Sequence, residues 1–148
     1  MTIKERLMAD LKTAMREQDV VRRDTIRMAR AAVLNFEKAQ LRDATEDEVI
    51  AVLSREVKQR HESIEMFRQG KREDLVAEEQ AQLIILEEYL PRQLGQQEIE
   101  QTLQSIIAEL GATGPQQLGN VMREAMSRLK GQADGRLVNQ LAREMLNR

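Results

Sequence analysis

Leu118-Gly-Asn-Val-Met-Arg-Glu-Ala-Met-Ser-Arg-Leu-Lys-Gly-Gln-Ala-Asp-Gly-Arg-Leu-Val-Asn-Gln-Leu-Ala-Arg-Glu-Met-Leu-Asn-Arg148 is the stretch from which the fold can be read. Leu118, Met122, Ala125 and Leu129 recur at helical spacing, and Val138, Leu141 and Met145 repeat the pattern further on. The pattern predicts two short amphipathic helices, roughly 115–129 and 134–147, joined by the tight turn Lys130-Gly-Gln-Ala-Asp-Gly-Arg136. Gly131 and Gly135 free the backbone to turn, and Asp134 can cap the second helix by accepting its orphan N–H groups. From Gly119 onward there are six basic residues (Arg123, Arg128, Lys130, Arg136, Arg143, Arg148) against three acidic ones (Glu124, Asp134, Glu144). A locally basic hairpin on a chain of net charge −2 suggests a docking surface for something anionic.

Working outward, Ile99, Leu103, Ile106 and Leu110 predict a helix over Gln96–Leu110, with Gly111 as its C-cap. Pro115 suits the first turn of the next helix, where its missing N–H costs nothing. Pro91-Arg-Gln-Leu-Gly95 is the best domain boundary, dividing residues 1–94 from 95–148. Before it, Ile3, Leu7, Leu11 and Ala14 mark a helix over about 2–18, and Ile26, Ala29, Val33 and Phe36 a second reaching about Gln40. Thr45-Glu-Asp-Glu48 matches a capping box and opens a long third helix striped by Val49, Leu53, Val57, Ile64 and Phe67 and ended at Gly70. A fourth runs from about Arg72 to Pro91 with Val76, Leu83, Leu86 and Leu90 inside. The expected fold is all-α, a four-helix N-terminal bundle followed by a small three-helix C-terminal domain.

Composition supports this. Hydrophobic residues make up 41% of the chain but aromatics only 2%, so the core must be aliphatic and Met-containing. Two prolines and seven glycines leave little to interrupt helices. No run is long and apolar enough to span a membrane, and the N-terminus is charged where a secretory signal needs its apolar centre; both point to a cytoplasmic protein without membrane contact. The absence of cysteine removes disulfides, thiolate nucleophiles and cysteine–metal sites together.

Catalytic patterns are scarce. His61 is the only histidine and borders an apolar stripe, which suits a structural or surface residue and makes a zinc site implausible. Glu73-Asp74, Glu78-Glu79 and Glu87-Glu88 repeat along one helix, as residues that solvate a helix face do. Gly111-Ala-Thr-Gly-Pro115 lacks the Gly-Lys-Ser/Thr ending of a phosphate loop. No catalytic residue, metal or cofactor is expected. Met122, Met126 and Met145 fit core filling better than a partner groove. Arg123, Arg128, Lys130, Arg136 and Arg143 are the candidate nucleic-acid contacts, weighed against a solvated face whose arginines pair with Glu124 and Glu144. Binding by such a cluster would be largely Coulombic, and the lack of aromatics directs it to backbone rather than to stacked bases.

The segments Leu118-Gly-Asn-Val-Met-Arg123 and Leu129-Lys-Gly-Gln-Ala-Asp-Gly-Arg-Leu-Val-Asn139 resemble the C-terminal signature of the GatB/YqeY family. Lys58-Gln-Arg-His-Glu-Ser-Ile-Glu-Met-Phe67, Arg72-Glu-Asp-Leu75 and Tyr89-Leu-Pro-Arg-Gln-Leu94 are similar to stand-alone YqeY-like proteins, so the resemblance covers essentially the whole chain. It implies a helical bundle plus a small helical tail domain. It also implies kinship with the tail of the B subunit of the aspartyl/glutamyl-tRNA amidotransferase, which helps hold tRNA while the chemistry occurs elsewhere. Asn120 and Gln132 depart from the family pattern, each standing where lysine is common.

Three readings follow. The first is a non-catalytic accessory module binding tRNA through the C-terminal domain, with Gly131, Asp134 and Gly135 forming the turn. The second is an adaptor docking on an aminoacyl-tRNA synthetase or amidotransferase component. The third, a glutamine-dependent carbon–nitrogen ligase, follows from family association alone.

Overall fold

The computed structural model describes all residues, Met1–Arg148. It contains seven α-helices and one short 3-10 turn, with no strand. The expected all-α class and the sequence of bundle and C-terminal helical domain are what the structure shows. The chain divides into two compact units, Met1–Pro91 and Arg92–Arg148.

The first unit holds α1 (Ile3–Glu17), α2 (Val20–Gln40), α3 (Glu46–Gln69) and α4 (Glu73–Glu87). Side-chain oxygens of Thr2, Asp19 and Thr45 accept from backbone N–H groups three residues ahead, so the first three helices start on capping chemistry. At α3 the box is complete: Glu48 reaches back to the Thr45 N–H at 3.0 Å. Gln18 and Leu41 take left-handed conformations (φ 58° and 57°) that end α1 and α2. Ile3, Leu7, Leu11, Ile26, Ala29, Val33, Val49, Leu53, Val57 and Leu86 form the buried core. Each large side chain there contributes about 1.5–3 kcal/mol relative to exposure.

Polar ties across long sequence separations register the helices. The Ile3 N–H donates to the Glu46 carboxylate at 3.1 Å, and Glu37 accepts from both Lys4 Nζ (2.6 Å) and the Ala44 N–H (2.7 Å). Tyr89 is buried beneath the Arg6 guanidinium, 4.9 Å from its ring centre, and its hydroxyl donates to Asp10. Burial, reinforced by the Asp10 carboxylate, pushes the Tyr89 phenol well above its ordinary pKa. His61 is exposed, 4.0 Å from Glu87.

The second unit holds α5 (Gln96–Leu110), the 3-10 turn Pro115–Gln117, α6 (Leu118–Arg128) and α7 (Gly135–Leu146). Pro115 opens the 3-10 turn, which leads directly into α6. Ile99, Leu103, Ile106, Val121, Ala125, Leu129, Val138, Leu141, Ala142 and Leu146 converge on one core, with Met122, Met126 and Met145 packed against its edge. All three α-helices pack pairwise, the closure a unit near the lower size limit requires. Leu110 differs from the expected inward stripe: it is 47% exposed, because the core against α5 ends with Ile106 and Ile107. Conversely Val52, Ile85 and Val121, outside the expected stripes, are buried.

Candidate nucleic-acid interface

The hairpin α6–turn–α7 forms as its sequence pattern requires. Gly131 adopts a left-handed conformation, φ 72°, which glycine enters without steric cost. Gly135 has no such demand. It is the first residue of α7, and a Cβ there would meet Met126 Cε at 3.6 Å, ordinary van der Waals contact. Asp134 is the N-cap: its Oδ1 accepts from the Arg136 N–H at 3.1 Å, and its carbonyl accepts from Val138.

The turn is also held from outside. The Leu94 N–H donates to the Gln132 carbonyl (2.9 Å), Gln132 Nε2 donates to the Arg92 carbonyl (3.2 Å), and Gln93 Nε2 donates to the Gly131 carbonyl (2.7 Å). Arg92 is anchored in turn by Glu98 at 2.7 Å. These three residues before α5 therefore fix a turn almost forty positions later. Nothing in the local pattern of the turn signals this clamp. Gln132, which stands where the resembled pattern commonly has lysine, supplies two of its hydrogen bonds.

The five candidate cations fall into different situations. Arg128 is engaged: its Nε donates to Glu124 at 2.9 Å and its Nη2 to Glu109. The Arg128 guanidinium holds the Glu109 carboxyl below its usual pKa, and those carboxylates raise that of Arg128. One positive charge between two negative ones leaves this corner net acidic. Glu124 is the partner that helical spacing offers, one turn away, whereas Glu109 reaches Arg128 from a different helix.

Arg136 and Arg143 lie on the outward side of α7, opposite buried Val138, Leu141 and Ala142. Seven residues separate them, which places them within about 20° of one direction and about 10 Å apart along the axis. Lys130 is exposed at the entry to the turn. Arg123 is exposed on α6 two residues from both Val121 and Ala125, hence on the side away from the core. It borders an open hollow of about 240 Å³ with Leu110, Ala112, Gln117, Asn120 and Glu124. Neither Arg123 nor Arg143 enters the unit's ion pairs. Helix geometry thus groups Arg136 with Arg143, adds Lys130 at the turn, and sets Arg123 and Arg128 on different sides of α6.

No helix is long and apolar enough to cross a membrane. No group of three or more His, Cys, Asp or Glu side chains is arranged to hold a metal ion.

The family model described as Yqey-like protein matches residues 4–146. Among curated relatives, Altered inheritance of mitochondria protein 41, mitochondrial, of Pyrenophora tritici-repentis is 37% identical over 145 residues, covering 95% of this chain and 79% of that one. The protein of the same name from Lachancea thermotolerans is 33% identical over 112 residues, 74% of this chain and 60% of its own length. That from Saccharomyces cerevisiae is 36% identical over 85 residues, 57% and 46% respectively. These names overturn the expectation of a cytoplasmic protein, since each relative is designated mitochondrial. The physical reason is that an apolar core marks a secretory signal alone, whereas a mitochondrial address is an amphipathic, arginine-rich segment. With the family model matching nearly its full length, the chain belongs to the YqeY-like protein family.

Proposed function

We propose that the chain is an accessory RNA-binding module that contacts tRNA through the outward side of α7 and the turn before it. The observation that carries this reading is the alignment of Arg136 and Arg143 on one helix face, with Lys130 beside the turn that α7 leaves. The spacing suits two phosphates of one backbone, and Arg143 stands outside the unit's ion pairs. Arg123 is a peripheral contact, while Arg128 serves the structure through Glu109 and Glu124. No catalytic step is assigned to any residue. Because the relatives are designated mitochondrial, organellar tRNA is a substrate to test beside bulk tRNA.

A second reading, docking on a synthetase or amidotransferase component, is favoured by the exposed Leu110 at the rim of the hollow that Arg123 borders. Titration of tRNA into the full chain across salt concentration separates the two. Affinity that falls steeply with salt, and that Arg136→Glu with Arg143→Glu removes, supports RNA binding. Absence of binding at low salt defeats it and turns attention to the hollow.

A further inference from the structure

The first unit carries a second surface that the RNA reading does not use. Where α1 turns into α2, Ala14, Met15, Gln18, Val20, Arg23 and Arg27 enclose an open groove of about 340 Å³. Two of its three apolar members are bare, Met15 at 50% and Val20 at 52% exposed, while Ala14 is buried. A methionine in such a position adapts its shape to what lies against it. The surroundings are basic. Lys12 to Arg30 contains six basic residues against three acidic ones. Arg22 is held by Glu88 and Asp19, and Arg23 by Asp24 at 2.9 Å, which leaves Lys12, Arg16, Arg27 and Arg30 outside the ion pairs. An apolar trench with arginines on its rim is the shape and charge that receives an acidic amphipathic helix.

The chain itself carries an acidic helix whose outward side holds one bare, large apolar side chain. α4 has five carboxylates (Glu73, Asp74, Glu78, Glu79, Glu87) and no basic residue. Glu73, Ala77, Gln80 and Ile84 follow one another at four-, three- and four-residue steps, forming a single outward stripe with Asp74 and Glu78 beside it. Ile84 in that stripe is 63% exposed, although α4 buries Val76, Ile85 and Leu86 on its other side. An exposed isoleucine amid carboxylates matches an exposed methionine and valine amid arginines. We propose that the protein self-associates, with the outward stripe of α4 in one copy seated in the α1–α2 groove of another. Ile84 meets Met15 and Val20, and Glu73 and Glu78 meet Arg23 and Arg27.

Sedimentation velocity of the full chain, from micromolar to submillimolar concentration at low salt, tests this. The expected result is reversible association that weakens as salt screens the charges. Arg23→Glu with Arg27→Glu, and separately Glu73→Lys with Glu78→Lys, should each weaken association by about tenfold or more, since like charges then face each other. Mixing the two variants should restore it, because each then offers the charge the other lacks. Arg27, Glu73 and Glu78 are exposed and Arg23 is half-buried beside Asp24, and an unchanged helical circular dichroism spectrum verifies that the variants fold. A wild-type chain that stays monomeric throughout overturns the proposal. So does association that ignores both substitutions, or variants that fail to recombine.

Discussion

The backbone N–H of Leu94 donates to the carbonyl of Gln132 across 2.9 Å, joining the residues before α5 to the turn before α7. Gln93 and Gln132 side chains reinforce the same junction at the Gly131 and Arg92 carbonyls. The turn that presents Lys130 and leads to Arg136 is therefore a clamped element, and its two glycines are not equivalent.

Gly131→Ala should destabilise the chain by about 1–2 kcal/mol, because a Cβ is forced into the left-handed region at φ 72°. Gly135→Ala should be neutral or stabilising by up to about 1 kcal/mol, since its Cβ meets Met126 at ordinary contact distance and alanine favours the helix. Chemical denaturation of the two variants checks the contrast. Equal losses would mean that both glycines serve the turn.

Leu103 and Leu110 both lie on the apolar period of α5, yet one is fully buried and the other 47% exposed. Leu103→Ala should cost about 2–5 kcal/mol through lost burial and the cavity left behind. Leu110→Ala should stay within about 0.5 kcal/mol, as surface substitutions usually do. Thermal melts of the two variants provide the comparison.

Acid should weaken the first unit through Glu48. Hydrogen bonds from Arg42 (2.7 and 2.8 Å), with a further one from the Thr45 N–H, hold its carboxyl down at about 2 against an ordinary 4.5. A depressed folded-state pKa gives stability that is complete above about 4.5 and lost as pH falls through about 2. Glu48→Gln should therefore melt below wild type at neutral pH, and the gap should narrow steadily as pH falls from about 4.5 toward 2. A gap independent of pH would show that the charge of Glu48 is not what the capping box uses.

Arg136→Ala or Arg143→Ala should each lower the salt slope of tRNA binding by about one contact's worth. Arg128→Ala should leave that slope unchanged and instead loosen the junction of α5 with α6, where Glu109 and Glu124 lose their shared partner. Filter binding across salt, paired with a melt of each variant, separates the two roles. A slope that falls for Arg128 alone would relocate the interface to the other side of α6.

Helix boundaries were legible wherever the deciding interactions span a single turn of chain. Thr45 and Glu48 announce α3, Gly111 ends α5 with φ 63°, and Asp134 starts α7, because a cap or a left-handed terminus involves neighbours three or four residues apart. The buried stripes were legible nearly as well, with Ile99, Leu103 and Ile106 all inside. Where helices stop having a partner was not: periodicity gives a direction around the axis but says nothing about how far along it the neighbour extends, hence Leu110. The basic cluster shows the same limit. Its cations were visible as residue types, but Glu109 reaches Arg128 from nineteen residues away and Arg92 accepts from Gln132 forty residues away. Local periodicity and capping chemistry, written in the sequence, determined that this chain is helical and roughly where each helix begins and ends. Which charges remain available and which are spent in pairs was decided only when the helices packed, because ion pairing depends on distances that sequence separation does not encode.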